Sequence, residues 1–476
     1  MFDGSGKSSF EPACLADLKP KIVDFRFTDL PGRWGHVCHW IDGIADIASL
    51  SPVMLSSASI MGWNDAAQSE IALRPIEGTQ FLDPFAEERT VVVNCHLVDP
   101  GTGRVSDKDS RATLERACLY LAGSGVADAF VVGAELEFYL FDDIRFRHSA
   151  NETFVSITES DGLEAAETRS RRGGVGHRIS YPAHHFATGP ADWANAFRSS
   201  LLKRLADIGV PPLHHQHEDG PGQQEICLRH ADAVTAADRV QATKYVVLNG
   251  ADAVGQTATF MPKPMAYRPG SGMHMNVSLW KAGDPVLAGD EIAGFSSLGL
   301  SFLAGILAHS RALTAILNPS INSFKRLDAI VNPMARASYG IGNRTVPRRI
   351  PSVFGAHEKR IEVRFGDATA NPYLAFAAIL LAGLDGIERG MKPPAPHEGD
   401  LLRENAPYDP RRCTPDGLCR SLDEAIVALD ADSNFLLKGG SFTSALLAAH
   451  IGELCRQVRV CRALPHPNEF LMSYGA

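Results

Sequence analysis

Apolar and polar residues alternate along residues 21–40, on both sides of a Pro31-Gly32 turn. Alternation with a period of two is typical of a strand with one buried face, so this segment predicts a β-hairpin. A further strand is predicted over residues 90–97. The turn-rich stretch after it leads into a helix predicted over residues 110–121 and ended by Gly123. The chain is therefore expected to open with a small β-rich domain.

Downstream of this region the pattern changes to short strands mixed with long helices. Helices are predicted over residues 301–317, 373–387 and 443–464. Strands and helices do not alternate regularly, which indicates an α+β fold rather than a parallel α/β sheet. We place the domain boundary near residue 105, which divides the chain into residues 1–105 and 106–476, and we expect the first ~15 residues to be flexible.

Composition limits the classes of partner. The 476 residues carry 55 acidic against 46 basic side chains, a formal net charge of −9. A chain without a basic stripe cannot neutralise a phosphate backbone, so nucleic acid is not expected as a partner. The nine cysteines contain no C-x-x-C pair, and the sequence alone indicates neither a zinc site nor a disulfide framework. An odd number of dispersed thiols suits a reducing cytoplasm.

Signals for secretion, membrane insertion and a phosphate-binding loop are weak. The N-terminal residues lack a basic region followed by an apolar stretch. The most apolar segment, residues 373–387, is shorter than the roughly 20 residues that a membrane span needs. Gly6-Lys7-Ser8 looks like the end of a phosphate-binding loop, but no strand precedes it and the first glycine of the motif would fall on Met1. We therefore expect a cytoplasmic protein without a membrane partner.

Four predicted strands share an unusual polar face. Residues 131–141, 224–228, 273–279 and 360–365 each place apolar side chains on one face only. Their other faces carry these residues: Glu135, Glu137, Glu225, His274, Asn276, Ser278, Arg360, Glu362 and Arg364. Glu218 lies in the loop before the second of these strands. Each polar face taken alone is also compatible with ordinary solvent exposure.

If these four strands are neighbours, five glutamates converge on one histidine. Carboxylates packed so closely require cations for neutralisation. A ligand set rich in oxygen with a single imidazole suits Mg²⁺ or Mn²⁺ better than Zn²⁺, and five carboxylates exceed what one ion takes, so two ions are expected. Arginines suited to phosphate and carboxylate groups accompany the acids: Arg326, Arg344, Arg349, Arg360 and Arg364.

The order of motifs resembles the type I glutamine synthetase family over nearly the whole chain. Matching segments include AELEFYLFDDIRF, ATFMPKPM, NSFKRL, NRTVPRRIP and RIEVRFGDATANPYLAF. The resemblance implies an N-terminal β-grasp domain and a C-terminal catalytic domain, built on a twisted antiparallel sheet with flanking helices. It also implies small-molecule substrates, ATP with Mg²⁺ or Mn²⁺, and a homo-oligomer: a dodecamer of two hexameric rings with sites between subunits.

The same resemblance implies roles for individual residues of this sequence. Six would bind metal, three for each of two ions: Glu137, Glu218 and Glu225, and Glu135, His274 and Glu362. Contacts to the acyl substrate and the transferred phosphoryl group would come from Arg326, Arg344 and Arg364. Contacts to ATP would come from Ser278, Arg349 and Arg360. The backbone of Gly270 would meet the amino-acid substrate.

Departures from the family concentrate around the amine. Ser56 stands in place of the aspartate that holds ammonium, and Asn332 in place of the flap glutamate that removes its proton. His185 replaces a tyrosine of the same pocket. Pro269, which has neither a side-chain amide nor an N–H, replaces an asparagine that helps to hold glutamate. Each lost charge-assisted contact costs about 2–5 kcal/mol, so reaction with ammonia is expected to suffer.

The sequence therefore predicts an ATP-dependent ligase that activates the carboxylate of glutamate or a close analogue as an acyl phosphate and joins it to an amine other than ammonia. Glu218 or His185 would replace the missing base. Two alternatives stay open. One is a glutamine synthetase with a weakened ammonium site, and the other is a catalytically silent paralogue with a regulatory or assembly role.

Two remaining features bear on regulation and on a second metal site. The loop that carries a modifiable tyrosine in adenylylated family members aligns with Leu402, so this modification is not expected, although Tyr408 follows nearby. The histidines of one short segment suggest a metal site, but beside Glu218 a packing or supporting role is favoured: His214, His215 and His217.

Overall fold

The computed structural model describes residues 19–41, 52–63, 69–159, 185–327, 338–401, 417–467, 469 and 472. Expectations for the N-terminal tail, Asn332, Leu402 and Tyr408 lie outside these residues. The architecture is α+β, as the sequence predicts, with two main sheets and helices packed against them.

The N-terminal sheet runs in the order β2-β1-β6-β4-β3, with β5 paired to β6. Its strands are β1 (Ile22–Thr28), β2 (Trp34–Trp40), β3 (Val53–Ser56), β4 (Glu70–Pro75), β5 (Phe81–Leu82) and β6 (Thr90–Val98). β1 and β2 form the predicted antiparallel hairpin, and β1 and β6 are parallel. Alternate residues, such as Val23, Phe25, Val91 and Val93, are buried in a core of this sheet.

The larger sheet runs in the order β10-β11-β7-β14-β18-β17-β16, with β12 and β13 paired to β7 and β15 to β14. Its strands are β7 (Ala129–Phe141), β10 (Pro212–His217), β11 (Gln223–Leu228), β12 (Ala231–Asp232), β13 (Thr257–Thr259), β14 (Met273–Lys281), β15 (Asp284–Pro285), β16 (Tyr339–Ile341), β17 (Arg348–Ile350) and β18 (Ile361–Val363). All its pairings are antiparallel except β16 with β17. A separate hairpin joins β8 (Asp143–His148) and β9 (Thr153–Thr158).

Helices cover the larger sheet. They are α1 (Ser110–Ser124), α2 (Asn195–Asp207), α3 (Ala233–Ala253), α4 (Ser297–Ala308), α5 (Ser310–Leu317), α6 (Ile321–Leu327), α7 (Pro372–Glu388), α8 (Leu422–Ala431) and α9 (Ser444–Arg462). Several begin at a polar side chain that accepts a hydrogen bond from a first-turn N–H, for example Asp109, Asn371 and Thr443.

Two predicted helices were wrong in detail. α1 continues past Gly123 and ends at Ser124, because the next residue, Gly125, adopts the left-handed conformation (φ 72°) and its N–H donates to the carbonyl oxygen of Ala122. The helix predicted over residues 301–317 is broken into α4 and α5, which meet at 72°. The break falls at His309, whose ring is held by carboxylates of other elements.

The core of the larger domain is built around α7, which is buried on nearly all sides. α4 crosses it at very short range through Gly305 and Gly386. A Cβ atom at Gly305 would lie 2.1 Å from the carbonyl oxygen of Ala382, so only glycine allows this approach. Among the described residues no single helix has the length and apolar composition of a membrane span. By these two criteria only the bent pair α4 and α5 qualifies.

The N-terminal sheet is fastened to the larger domain by buried polar contacts. Arg26 of β1 lies between the rings of Trp34 and Tyr245, 3.9 Å from the centroid of the latter. The side-chain amide of Asn371 donates to the carbonyl oxygens of Asp29 and Leu30. Buried polar contacts of this kind fix one orientation of the sheet.

Candidate active site

The four strands that carry acidic faces lie side by side, in the order β11-β7-β14-β18. Their register puts Glu225 directly opposite Glu137, and His274 directly opposite Glu135. Glu362 of β18 lies opposite Asn276 of β14. Because directly opposed residues project from the same face, the polar side chains of all four strands converge on one face of the sheet.

One half of this acidic cluster is formed by Glu135, His274 and Glu362. The Nδ1 atom of His274 lies 3.2 Å from Glu135 Oε2 and 3.8 Å from Glu362 Oε1. Ligand atoms of these three residues lie within 4.8 Å of one another, an arrangement that can hold a metal ion. The trio is the one that the family resemblance implies for one metal ion, and that role stays a prediction.

Within the chain itself, arginines offset the negative charge of this half, and an amide donates a hydrogen bond to one of its carboxylates. Glu362 accepts hydrogen bonds from Arg349 (2.7 Å) and Arg364 (2.5 Å). Asn276 donates to Glu135 at 2.8 Å, and its oxygen accepts from Arg360 at 2.9 Å. Glu362 is 2% exposed. Burial alone would raise the pKa of Glu362, but the charges of Arg364, His274 and Arg349 hold it below its usual range.

The other half contains Glu137, Glu218 and Glu225. Ligand atoms of Glu137, Glu225 and His274 lie within 4.8 Å of one another. Glu137 accepts from the N–H of Gly272 at 2.7 Å. Glu218 stands at the edge of this group and accepts from Gln216 at 2.8 Å. His274 therefore faces both halves, since its Nε2 atom lies 3.5 Å from Glu137.

Glu225 is the least compensated carboxylate of the cluster. Its side chain contacts Gln216 and Cys227 and shares a hydrogen bond with another carboxyl group, that of Glu218. Burial, followed by the negative charges of Glu137 and Glu218, raises the pKa of Glu225 far above its usual range. These surroundings favour the protonated form of the carboxyl group when no cation is present, as is expected where several carboxylates are arranged to hold a metal ion.

His185 reaches this half from outside the sheet. Its Nδ1 atom lies 3.5 Å from Glu218 Oε2. The pKa of His185 is raised overall. The hydrogen bond and charge of Glu218 outweigh the opposing effects of partial burial and of the positive charge of Arg344. The structure thus brings His185, Glu218 and Arg344 to one region. The next residue, Phe186, is exposed and has a positive φ of 61°.

Arg326 is packed beneath the glycine loop that precedes β14. It is buried and donates to the carbonyl oxygens of Phe365 (2.9 Å) and Arg364 (3.0 Å). A Cβ atom at Gly270 would lie 2.7 Å from Arg326 Cγ, so the loop needs glycine there. Tyr139 donates to the carbonyl oxygen of Pro269 at 2.8 Å. The loop is therefore held in one position although Pro269 has no N–H to offer.

Two predicted site residues lie at the margin of this region or outside it. Ser278 donates to the carbonyl oxygen of Lys359 at 3.0 Å and belongs to β14, on the same face as His274. Ser56 is the exposed last residue of β3, on the separate N-terminal sheet. The acidic cluster of this chain is therefore assembled without Ser56.

Sequence reasoning overlooked several residues of the cluster. Cys227 lies opposite Glu135 and its thiol is 3.5 Å from Glu225. Gln216 bridges Glu218 and Glu225. The sequence could have indicated Cys227, because this residue follows Glu225 by two positions on the same predicted strand and therefore shares its face.

Two histidines of β10 make supporting contacts, whereas His214 is exposed. His217 is buried and contacts the carbonyl oxygen of Glu218. His215 accepts from Arg198 at 3.0 Å. Within the described part of the chain, the groups of side chains suited to a metal ion do not include the histidines of this strand.

Comparison with known proteins agrees with this geometry. Residues 19–100 match the family model "Glutamine synthetase, beta-Grasp domain", and residues 107–473 match "Glutamine synthetase, catalytic domain". A glutamine synthetase from Neisseria gonorrhoeae is 39% identical over 469 residues, covering 96% of this chain and 97% of the relative. A protein named 3-hydroxylaminophenol mutase, from Cupriavidus pinatubonensis, is 37% identical over 456 residues, covering 96% of each chain. The solved structure of GmaS without ligand has a TM-score of 0.79 at 28% identity, and covers 97% of this chain and 98% of its own.

Proposed function

This chain belongs to the glutamine synthetase family, and we propose that it is an ATP-dependent ligase that joins the carboxylate of glutamate, or of a close analogue, to an amine other than ammonia. One observation carries the proposal. The carboxylates and arginines suited to phosphoryl transfer are assembled, whereas Ser56 and Asn332 supply neutral side chains at the two positions that the family uses to bind and deprotonate ammonium.

The phosphoryl side of the site is organised by this chain's own residues. Arg326 is fixed by two carbonyl oxygens, and Arg349 and Arg364 converge on Glu362. Positively charged groups held in place before the substrate arrives stabilise the charge that develops on a transferred phosphoryl group. Divalent cations, which the family uses together with ATP, would neutralise the carboxylates and polarise the phosphoryl oxygens when bound at this cluster.

On the amine side, the pair His185 and Glu218 supplies the base. Glu218 orients the imidazole and raises the pKa of His185, so that this ring can accept a proton from a substrate ammonium group near neutral pH. The negative charges near His185 come from Glu218 and Asp219. We infer that this arrangement binds a small cation more weakly than a site with two further carboxylates would. An organic amine, which also binds through its carbon skeleton, depends less on such a trap.

The similarities to known proteins support more than one specificity. The relative from Neisseria gonorrhoeae is named a glutamine synthetase, which favours ammonia. A relative that is 37% identical is named 3-hydroxylaminophenol mutase, so proteins this similar to the chain are not all named glutamine synthetase. A silent paralogue that still binds metal would keep the same buried carboxylates, which are costly unless they bind cations, so only the absence of turnover distinguishes it from a ligase.

The direct test is an amine screen. Purified full-length protein is supplied with glutamate, ATP and Mg²⁺ or Mn²⁺, and phosphate release is measured with ammonium and with primary amines of increasing size. We expect kcat/KM for at least one organic amine to exceed that for ammonium by about tenfold or more, equivalent to one contact of about 1.4 kcal/mol. Mass spectrometry of the product identifies the amide.

Each other outcome selects an alternative. Turnover with ammonium alone would make the protein a glutamine synthetase with a weakened ammonium site. Absence of ATP turnover with every amine, in protein that still binds metal, would support the silent paralogue.

A restoring variant gives a second test. Ser56→Asp combined with Asn332→Glu is expected to raise ammonium-dependent kcat/KM by about tenfold or more, because it returns two carboxylates to the amine site. The matched control for the first of these two charges is Ser59→Asp, which adds one negative charge at an exposed position of the adjoining turn and is compared with Ser56→Asp alone. An equal gain from the control would mean that the effect is general electrostatics rather than a specific contact.

A further inference from the structure

A second cluster of metal-ligating side chains lies on the N-terminal sheet, in the hairpin of β1 and β2. Asp24 of β1 is directly opposite Cys38 of β2, and His36 precedes Cys38 by two residues, so the three side chains share one face. Asp24 Oδ1 lies 2.8 Å from His36 Nδ1, and that nitrogen lies 3.6 Å from Cys38 Sγ. The three ligand atoms lie within 4.8 Å of one another.

We propose that Asp24, His36 and Cys38 bind a zinc ion on the surface of the N-terminal sheet, separate from the acidic cluster of the active site. A thiolate, an imidazole and a carboxylate form a typical ligand set for zinc, and three protein ligands leave a fourth position for water. The set differs in kind from the oxygen-rich active-site cluster, since a thiolate selects soft and borderline metals over Mg²⁺.

The present geometry is close to what such an ion requires. With Zn–N near 2.0 Å and Zn–S near 2.3 Å, tetrahedral ligand atoms stand about 3.3–3.7 Å apart. The separation of 3.6 Å between Cys38 and His36 already fits. The separation of 2.8 Å between Asp24 and His36 is a hydrogen bond, which would open by about 0.5 Å to admit the ion. The His36 side chain is 62% exposed, so this movement is unobstructed.

Neighbouring charges fit the proposed ion as well. The second oxygen of Asp24 accepts from Arg26 at 2.8 Å, which fixes the carboxylate and leaves Oδ1 turned toward His36. Arg26 also pairs with Asp83 at 2.9 Å. Two carboxylates and one thiolate then balance one guanidinium and one divalent ion. The formal charges of the occupied site and its two charged neighbours sum to zero, so no net charge is left beside the buried Asp24 and Arg26.

A zinc ion bound at this site would link β2, the edge strand, to β1. β2 is the terminal strand of the sheet and pairs with β1 alone among the described strands. Asp24 belongs to β1, whereas His36 and Cys38 belong to β2, so one ion would clip the hairpin across its width. The site would stabilise this edge and take no part in phosphoryl transfer.

Cobalt spectroscopy on the full-length protein tests the proposal. Metal is removed by chelation, and Co²⁺ is titrated in the presence of excess Mg²⁺, which favours the oxygen ligands of the acidic cluster. We expect a near-ultraviolet thiolate-to-cobalt charge-transfer band that saturates at one equivalent and disappears when Zn²⁺ is added. Cys38→Ser should abolish the band, and His36→Gln should raise the dissociation constant for Zn²⁺ by about 100-fold or more.

Two matched controls separate this site from other thiols. Cys227→Ser removes the thiol beside the acidic cluster, and Cys455→Ser removes an exposed thiol on α9. Both should retain the band. A band that survives Cys38→Ser, or is lost only in Cys227→Ser, would overturn the proposal.

A measurement on the unmodified chain avoids dependence on folding of the variants. Zn²⁺ should slow alkylation of Cys38 by iodoacetamide at least about tenfold, while alkylation of Cys455 is unchanged, as followed by mass spectrometry of peptides. Equal rates at Cys38 with and without Zn²⁺ would overturn the proposal.

Discussion

The two halves of the acidic cluster differ in how the negative charge of their carboxylates is offset. Glu362 is neutralised by Arg349 and Arg364, and the pKa of this carboxyl group is held low. Glu225 is surrounded by other carboxylates, and the pKa of its carboxyl group is raised. One half is therefore preformed by the chain's own cations, whereas the other is completed only by an added cation. The difference predicts that equivalent substitutions in the two halves act alike on catalysis and oppositely on stability.

The largest expected effect comes from replacing one carboxylate in each half. Glu225→Gln and Glu362→Gln should each lower metal-dependent phosphate release by about 1,000-fold or more, because a lost ligand forfeits several kcal/mol of transition-state stabilisation. Their stabilities without metal should diverge. Glu225→Gln removes the cost of keeping this carboxyl group protonated among other acids and should leave the thermal midpoint unchanged or raised. Glu362→Gln leaves two arginines without their carboxylate and should cost about 3 kcal/mol.

Thermal unfolding in the presence of a chelator measures the second effect. Addition of Mn²⁺ should raise the midpoint of the parent protein by mass action, by an amount equivalent to about 2.7 kcal/mol at 100 times the dissociation constant, and that of either variant by less. Equal destabilisation by both variants without metal would break the contrast, since it would mean that Glu225 is already compensated in the metal-free chain.

A similar contrast exists between two buried arginines outside the cluster. Arg198 of α2 pairs with Asp192 at 2.6 Å and donates to His215 at 3.0 Å. Arg348 of β17 is fully buried, donates to the hydroxyl of Ser310 at 2.7 Å and lies over the ring of Phe365. Burial lowers the pKa of Arg348 to about 9. Its Nε and Nη1 atoms have no hydrogen-bond partner in the described structure.

Methionine at these two positions should have unequal effects on stability. Arg198→Met leaves Asp192 without its cation and should destabilise the protein by about 3 kcal/mol, whereas Arg348→Met removes an uncompensated charge and should be neutral or stabilise by about 1 kcal/mol. Thermal midpoints of the two variants, measured side by side, check this. A strong loss of stability in Arg348→Met would show that this guanidinium has a counter-charge in the assembled protein.

Sequence reasoning anticipates features that depend on local periodicity. The acidic faces of β7, β11, β14 and β18 follow from alternation alone, and the resemblance to known motifs supplied the grouping of their side chains into two metal sites, whereas the order of the strands in the sheet was not predicted. Features that depend on register or on distant contacts were missed. Cys38 looked isolated along the chain, and only the register of the hairpin places it opposite Asp24. The helix break at His309 depends on Asp385 and Asp432, residues far along the chain.

The smallest expected effect is a pH dependence of the free energy of unfolding, to which two buried histidines contribute with opposite sign. His309 lies 2.7 Å from Asp432 and 2.9 Å from Asp385, and although burial opposes it, these carboxylates raise the pKa of His309. His450 is buried against the carbonyl oxygen of Ala315 at 3.1 Å, and burial lowers the pKa of His450. One ring is favoured in its charged form and the other in its neutral form.

Linkage then gives the two histidines opposite signs. Stabilisation by His309 is fully present below its unfolded pKa of about 6.5 and is lost as pH rises through its higher folded pKa. Stabilisation by neutral His450 is present above about pH 6.5 and is lost as pH falls toward its lower folded pKa. Relative to the parent, His309→Gln should therefore lose more stability at about pH 6 than at about pH 8, and His450→Gln should show the reverse. Thermal midpoints across this range, with differences below about 1 kcal/mol, measure both. Parallel profiles for the two variants would mean that the carboxylates beside His309 and the burial of His450 do not set the charge states of these two rings.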